Sequence, residues 1–436
     1  MRVLFSVSDW SSHYFPMVPL GWALQAAGHE LRVACDASQA PAVARAGLTP
    51  VPLLAGRDLI FMHRMHNLEQ VHLGRWPHDR LPPHPVTGEP LTGLAEFGDL
   101  GTYLARTRAE VAAALQRNMV DAVGWTCDWQ PALVVCDLTS LHGLLTAAVA
   151  DVPCAVHLWG PVGTVEPPEY DLVPDDRAGT LGRLGVDAEV VDLIEHVIDP
   201  CPADLAPPTT AVRLPSRYVP YNGGGPVPAW TARPVRASDR PRVCVVFGDS
   251  LREMAGAGSF DLAGLVRSVA RLDVEVVVLV HPDDAARLGD LPGNVRVPGP
   301  VPLHALLPTC AAVIHHGGAG SLMTALAAGV PQLSLPFFPD QRANAARLAA
   351  TGAGDTMDGN SFDPAGVRAR LVGLLGDPRY RRRAAALRDQ LADRPSPAQL
   401  VEPLEELARA GRRVHHGSRL PAVDGGLPLQ WSSTRR

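Results

Sequence analysis

The sequence predicts an α/β fold of two Rossmann-like, doubly wound domains that face each other across a central cleft. Short apolar segments alternate with helical segments from the N-terminus onward, and the same alternation restarts near residue 242. A stretch rich in proline and glycine, residues 207–240, separates the two series. Strand–helix alternation is typical of parallel sheets covered by helices. The composition of the separating stretch is typical of a linker.

The first half opens with a strand at 2–8, a helix at 16–27 that Gly28 ends, and a strand at 30–35. This order forms the βαβ unit of doubly wound sheets. Further strands are predicted at 133–136 and 155–158. Segments 56–100 and 160–205 interrupt the pattern, and we expect both to lie over the cleft. The second of them is predicted to be helical around 187–198.

The second half repeats the pattern. Its predicted strands are 242–247, 274–280, 313–315 and 332–335, and its predicted helices are 262–271, 319–328 and 341–350. We therefore divide the chain into an N-terminal domain 1–206, a linker 207–240, a C-terminal domain 241–412 and a tail 413–436.

Composition excludes several classes of protein. The 436 residues are 46% hydrophobic with a net charge of −6, which fits a globular chain and gives no basic field for nucleic acid. Seven scattered cysteines without a C-x-x-C pair predict reduced thiols. Without a signal peptide or an apolar run that could span a bilayer, we expect a cytoplasmic protein. The five histidines of 56–100 lack the spacing of metal ligands.

The most informative segment is residues 311–321, where a buried strand ends in glycines and a helix begins. Gly317, Gly318 and Gly320 allow the backbone to approach a ligand closely. The helix N-terminus attracts a phosphate, and His316 and Ser321 add side-chain donors. The alternative is a tight strand-to-helix turn with incidental histidines. Parallel sheets bind ligands at the carboxyl ends of their strands, which favours the binding site.

His13 lies in the loop after the first strand, just before Pro16 opens a helix. A helix N-terminus disfavours a cationic imidazole, so we expect His13 to be neutral and able to accept a proton. Asp137 follows the strand 133–136 and could accept the other ring N–H, as an orienting carboxylate does. The alternatives are a structural loop histidine and a helix N-cap, respectively.

Two sequence motifs that would indicate other kinds of binding site are absent. No Asp-x-Asp triplet occurs, so a metal-held diphosphate is unsupported and the helix N-terminus is the expected electrophile. No G-x-G-x-x-G follows the first strand, which argues against an NAD oxidoreductase.

Taken together, these motifs resemble the family 1 inverting glycosyltransferases of GT-B fold, and among them the actinomycete enzymes that attach deoxysugars to macrolides and other polyketides. The resemblance extends from residue 1 to about 410. It is carried by the H-x-x-P-M-V-P-L segment at 13–20, by V-P-Y-N-G at 219–223, by 294–308, by H-H-G-G-A-G-S at 315–321 and by 327–341.

The resemblance implies a role for each matching residue. His13 would deprotonate the acceptor hydroxyl, with Asp137 as its acidic partner. His316 and Ser321 would contact the diphosphate, and Val301 would contact the base through its backbone. Ser250 lies in Gly-Asp-Ser, where relatives often have Gly-Thr-Ser against the phosphates. Asp340 and Gln341 would bind hydroxyls of the donor sugar; the alternative for Asp340 is the N-cap of the helix 341–350.

One departure concerns the nucleotide. Pro300 stands where relatives often place an aromatic residue that stacks on the base. Since the deoxysugar members mostly use dTDP-sugars, we expect dTDP and no metal or other cofactor. Some relatives need a helper protein that resembles a haemless cytochrome P450; the resemblance allows one here, and a homodimer is also open.

We therefore predict a metal-independent, inverting transfer of a deoxysugar to an apolar polyketide-type aglycone. Two alternatives stay open at this point. A nucleotide-sugar epimerase on the same fold needs no aglycone site, and would convert the donor without an acceptor. An inactive partner subunit would not require intact His13, His316, Ser321, Asp340 and Gln341.

Overall fold

The computed structural model describes residues 1–54, 59–76, 80–176, 179–232, 240–256 and 258–412. The first half forms a parallel sheet of seven strands in the order β3-β2-β1-β4-β5-β6-β7. Its strands are β1 Arg2–Ser6, β2 Glu30–Asp36, β3 Pro50–Leu54, β4 Leu133–Asp137, β5 Cys154–His157, β6 His196–Asp199 and β7 Val212–Pro215.

The second half forms a parallel sheet of six strands in the order β10-β9-β8-β11-β12-β13. These strands are β8 Arg242–Val246, β9 Glu275–Leu279, β10 Val295–Arg296, β11 Ala312–His315, β12 Gln332–Ser334 and β13 Gly354–Thr356. The central residues of the inner strands β8, β9, β11 and β12 are almost completely buried, as expected when helices cover both faces of a parallel sheet. Two doubly wound domains are therefore confirmed.

Helices cover both sheets. In the first half they are α1 Ser11–Tyr14, α2 Val18–Ala26, α3 Ala40–Arg45, α4 Leu59–His72, α5 Leu100–Trp129, α6 Leu141–Val149 and α7 Thr180–Arg183. In the second half they are α8 Asp249–Ala255, α9 Leu262–Val269, α10 Pro282–Ala286, α11 Leu303–Leu306, α12 Ala319–Ala328, α13 Pro339–Thr351, α14 Pro364–Gly376, α15 Pro378–Ala392 and α16 Val401–Ala410. No helix in the described ranges combines the length and apolar composition that crossing a bilayer requires.

The strand order reverses direction once in each sheet, and these two points position the site. In the first sheet the reversal lies between β1 and β4; in the second it lies between β8 and β11. Crevices that bind ligands form at such reversals, at the carboxyl ends of the strands. At or just after the carboxyl ends of these four strands lie His13, Asp137, Ser250 and His316.

The predicted helix around 187–198 is wrong. Residues 190–193 form one short 3-10 turn, and β6 is an interior strand of the first sheet, between β5 and β7. A helix was predicted because four buried residues have helical spacing: Val190, Leu193, Ile194 and Val197. They reach the same core from two different elements.

The inserted segment 56–100 contains a helix that the sequence analysis did not find. Helix α4 packs against α8 of the second domain: Arg64 donates to the Glu253 carbonyl (2.6 Å) and Asn67 to the Met254 carbonyl (3.0 Å). The face toward α8 is polar because it binds backbone oxygens. A short apolar stripe of Phe61, Met65 and Leu68 packs against α5, and the sequence analysis overlooked it. The 30-residue helix α5 was also not predicted.

Two elements modify the predicted domain limits. Strand β7, the edge of the first sheet, lies inside the predicted linker 207–240. Helix α16 returns to the first domain, where Leu400, Val401 and Leu404 join its core. Residues 233–239 of the linker and the predicted tail 413–436 lie outside the described residues.

Candidate active site

His13 lies in α1, the single helical turn that follows β1, and not in a loop before a helix as predicted. Its ring stacks on Trp159 with 3.9 Å between ring centroids and 7° between ring planes. Its Nδ1 lies 3.2 Å from the Ser8 hydroxyl and 3.3 Å from the Thr139 hydroxyl. Burial lowers the pKa of His13 to about 4, and the Asp137 carboxylate opposes part of that shift. The imidazole is therefore neutral at pH 7, as predicted.

Asp137 does not bind His13 directly, contrary to the prediction. Its Oδ2 accepts from the Ser8 backbone N–H (2.5 Å), and its Oδ1 accepts from the Thr139 backbone N–H (2.9 Å) and hydroxyl (2.7 Å). The side chain is completely buried at the end of β4. The alternative role as a helix N-cap is also wrong, since Ser140 occupies that position before α6. Asp137 instead holds the loops after β1 and β4 together.

The glycine turn after β11 is fixed by the first of its two histidines. His315 is fully buried; its Nδ1 accepts from the Gly317 N–H (2.9 Å), and its Nε2 lies 2.8 Å from Oε1 of Gln332. Gly317 has φ of +84°, and a Cβ there would meet the Gln341 carbonyl oxygen at 2.8 Å. Glycine is required at this position for both reasons. Helix α12 then runs from Ala319 to a left-handed Gly329, as predicted.

His316, the second histidine of this turn, points toward the loop after β8. Its Nε2 lies 3.3 Å from the Ser250 hydroxyl, while its Nδ1 is buried without a hydrogen-bond partner among the described residues. Burial lowers the pKa of His316 to about 3, so it is neutral at pH 7. A Cβ at Gly318 would collide with this imidazole. His316 thus offers one uncommitted ring nitrogen at the start of α12.

Asp340 and Gln341 lie at the start of α13, beside Gly317. The prediction that Asp340 is the N-cap is wrong: the helix begins at Pro339 with Phe338 as its N-cap. Gln341 stabilises this end instead, because its Oε1 accepts from the N–H groups of Phe337 (3.0 Å) and Phe338 (3.3 Å). Since its Oε1 is bound to the backbone, the amide NH2 of Gln341 is the group that can donate to a ligand. Burial raises the pKa of Asp340 to about 6, against backbone hydrogen bonds that lower it.

A cleft of about 680 Å³ opens between the domains. From the second domain it is lined by Gly248, Ser250, Val301, His316, Gly318, Gly320 and Ser321, among others. From the first domain and the linker it is lined by Asp9, Ser11, Ser12, Phe15, Ile60, Tyr221 and Asn222, among others. His13, Asp137, Gly317, Asp340 and Gln341 neighbour lining residues in the sequence or structure but are not themselves part of this lining.

The two inserted segments reach the second domain at different places. Helix α4 adjoins the cleft through Ile60, and one turn later the His63 ring meets the Phe338 ring edge-on at 5.0 Å. Segment 160–205 begins at Gly160, which is packed against Ala319. Its later residues line a separate groove, of which Asp175, Asp187 and Glu189 are part. The expectation that this whole segment covers the cleft is therefore wrong.

Sequence reasoning missed Ser8, Thr139 and Trp159, which surround His13. All three lie just after strands β1, β4 and β5, so the rule that ligands bind at the carboxyl ends of strands could have found them. It also missed Tyr221 and Asn222, because the linker was treated as a connection only. Among the described residues, no group of three or more His, Cys, Asp and Glu side chains is arranged to hold a metal ion.

Comparison with known proteins gives the same picture along the chain. Residues 22–248 match the N-terminal domain and residues 263–407 the C-terminal domain of the erythromycin biosynthesis protein CIII-like family. The chain is 34% identical to 10-deoxymethynolide desosaminyltransferase of Streptomyces venezuelae, over 95% of this chain and 98% of that protein. It is 35% identical to 3-alpha-mycarosylerythronolide B desosaminyl transferase of Saccharopolyspora erythraea, over 95% and 99%.

The fold is also that of a solved structure. The crystal structure of the glycosyltransferase VinC in complex with dTDP superposes with a TM-score of 0.70 at 29% identity, over 94% of this chain and 100% of that one.

Proposed function

The chain belongs to the erythromycin biosynthesis protein CIII-like family of glycosyltransferases, and from that membership we propose that it transfers a deoxysugar from a dTDP-sugar to a hydroxyl of a polyketide-type aglycone. One observation carries the proposal. The N-terminus of α12 and residues of α1, the helix that bears His13, line the same interdomain cleft, one from each domain. Leaving group and acceptor can therefore be held on opposite sides of the anomeric carbon, as an inverting displacement requires.

The donor diphosphate lies at the start of α12 in this proposal. A ten-residue helix directs its free N–H groups and the positive end of its dipole into the cleft. His316 lines the cleft as a neutral imidazole, and Ser321 adds a hydroxyl. Gly320 leaves open space where a Cβ would stand, so a phosphate can approach the backbone.

The nucleotide extends toward the loop after β10. Val301 and Pro300 both line the cleft there, and Val301 can meet the base through its backbone while Pro300 offers an apolar surface in place of an aromatic ring. Ser250 lies near the phosphates beside His316. The relative VinC was solved with dTDP, which supports thymine as the base for this chain as well.

His13 is the proposed base. It is neutral, its ring plane is held by Trp159, and its Nε2 has no hydrogen-bond partner among the described residues. As the acceptor oxygen attacks the anomeric carbon, Nε2 takes the hydroxyl proton and the bond to the diphosphate breaks. The fixed negative charge of Asp137 stabilises the imidazolium that forms. Asp340 and the Gln341 amide bind hydroxyls of the sugar.

We propose that this reaction needs no metal, because the α12 N-terminus and His316 already face the leaving group. Product analysis tests the whole proposal. A panel of dTDP-sugars and polyketide aglycones is incubated with the protein, with and without a P450-like helper; products are identified by mass spectrometry and their anomeric configuration by NMR. A glycoside with inverted anomeric configuration, formed equally in EDTA, is expected. A new sugar nucleotide formed from donor alone would instead establish an epimerase, and activity that requires Mg²⁺ would refute metal independence.

A further inference from the structure

We propose that the Thr139 hydroxyl is a positioning group that joins the His13 imidazole to the Asp137 carboxylate and selects the ring tautomer with the proton on Nδ1. The inference rests on the proposed function, in which His13 is the base. It assigns Thr139 a role that neither the sequence motifs nor the carboxylate alone provides.

The first step concerns Asp137, whose carboxylate is fully engaged. One oxygen accepts from the Ser8 N–H at 2.5 Å, and the other accepts twice from Thr139, at 2.9 Å from its N–H and 2.7 Å from its hydroxyl. These bonds connect the loops after β1 and β4 at the reversal of strand order. The charge is therefore fixed near His13 without a direct contact between the two side chains.

The second step concerns the direction of the hydrogen bonds. A hydroxyl has one hydrogen, and Thr139 donates it to the carboxylate, which is the stronger acceptor. Toward His13 Nδ1, at 3.3 Å, the same oxygen can then only accept. A hydrogen bond between the ring and Thr139 therefore requires the proton on Nδ1, which the Ser8 hydroxyl at 3.2 Å can also accept, and the lone pair is then on Nε2. The ring thus has the tautomer that a base acting through Nε2 needs.

The third step is that the ring cannot easily adopt another arrangement. Trp159 covers one face of the imidazole at 3.9 Å and is itself 4% exposed. Rotation of the ring that would bring Nε2 to the hydroxyls would break this stacking. During the reaction only Nε2 gains a proton, from the acceptor hydroxyl; Thr139 and Asp137 keep their protonation states, and the hydroxyl dipole transmits the carboxylate's stabilisation to the cation.

The test combines nitrogen NMR with kinetics on the complete chain. In ¹⁵N-labelled protein, with the His13 signals assigned from their loss in His13→Gln, we expect a protonated Nδ1 and an unprotonated Nε2. Thr139→Val keeps the shape but removes the hydroxyl. It should populate the other tautomer and lower kcat about 10- to 100-fold, the factor for one lost hydrogen bond to an ion. KM for the donor should not change, and Thr139→Ser should restore both signals and kcat.

Two controls make the outcome specific. Thr126→Val removes a hydroxyl that donates to the Ala122 carbonyl inside α5, remote from the site, and should keep the His13 signals and kcat. Ser8→Ala removes the other hydroxyl near Nδ1 and should have the smaller effect, since its side chain does not bridge to Asp137. If Thr139→Val does not fold, as judged by circular dichroism and dTDP calorimetry, Thr139→Ala replaces it.

Unchanged His13 nitrogen signals in Thr139→Val would overturn the inference even if His13 is the base. A different result would show that the proposed function is wrong. In that case His13→Gln would retain turnover, while the His13 tautomer would still differ between wild type and Thr139→Val.

Discussion

Arg347 of α13 forms a two-bond ion pair with Glu166 of the first domain. Its two terminal nitrogens lie 2.9 and 2.6 Å from the two carboxylate oxygens, and the Glu166 side chain is completely buried. The same carboxylate accepts from the Gly163 N–H at 2.6 Å. The pair connects the helix that begins with the candidate sugar-binding residues to the domain that carries the candidate base.

The first prediction concerns the stability that depends on this pair. Arg347→Met should lower the free energy of unfolding by about 3 kcal/mol, because it leaves a buried carboxylate without its cation. Arg106→Ala is the matched control, since its pair with Glu110 is exposed and should contribute less than about 1 kcal/mol. Urea unfolding followed by circular dichroism measures both. Equal, small effects would mean that water replaces Arg347 at Glu166.

The second prediction concerns His13. His13→Ala should lower turnover by roughly 10²- to 10⁴-fold, the usual contribution of a general base. Binding of dTDP should persist, because the proposed diphosphate site at the start of α12 belongs to the other domain. Single-turnover kinetics and calorimetry separate the two effects. Near-normal turnover of the alanine variant would exclude the base role.

The third prediction concerns the phosphate site. His316→Ala and Ser321→Ala should each weaken dTDP binding, by about tenfold or less. His316 is neutral because burial lowers its pKa to about 3, so it acts as a neutral donor worth about 0.5–1.5 kcal/mol. Thr126→Val, in α5, removes a buried hydroxyl that donates to the Ala122 carbonyl of its own helix and serves as control. Calorimetry that gives wild-type affinity for both site variants would place the diphosphate elsewhere.

The strands and the glycine turn could be predicted because their signals are local. Buried strands are short apolar runs, and the turn at 315–321 needs glycine at Gly317 for backbone reasons alone. The hydrogen-bond partner of His13 could not be predicted, because it depends on which side chains two separate loops bring together. Spacing marked Asp137 as a carboxylate at a strand end, but not that Thr139 stands between it and the ring.

The predicted helix boundaries were wrong for a related reason. Asp340 has the residue type of an N-cap, yet Pro339 is already helical and Gln341 satisfies the N–H groups before it. Helix α4 was not predicted because its apolar stripe is short, Phe61, Met65 and Leu68, and its contacts with α8 are polar. In each case a contact formed only in the folded chain outweighs the local pattern.

The fourth prediction concerns the pH dependence that Asp340 confers. Burial raises its pKa to about 6, above the unfolded value of 3.8. Between these values the folded state binds the proton more tightly, so this group makes stability fall as pH rises from about 4 to 6, and the loss persists above 6. Asp340→Asn should therefore be more stable than wild type at pH 7.5, by a margin that shrinks toward pH 4.

Urea unfolding midpoints across this pH range measure the margin. Asp389→Asn, at a carboxylate that is 65% exposed, is the control for a general effect of charge removal. A constant difference between Asp340→Asn and wild type at all pH values would show that the carboxylate is not strained by burial.

The last prediction concerns the function of the Asp340 carboxylate in binding the donor sugar. With the Gln341 oxygen bound to the backbone, Asp340 is the acceptor that a sugar hydroxyl can use and Gln341 the donor. When the sugar lacks a hydroxyl that the site binds, a polar group of the site is left without a partner. Each such group weakens binding by about 1–3 kcal/mol. Wild type should therefore prefer donors with a hydroxyl at C3 or C4 over 3,4-dideoxy donors by about tenfold or more, and Asp340→Asn should reduce that preference. The measurement is kcat/KM for both donor classes on both proteins. If Asp340 serves only the positive end of α13, the variant will treat both donors alike, with an equal loss or none.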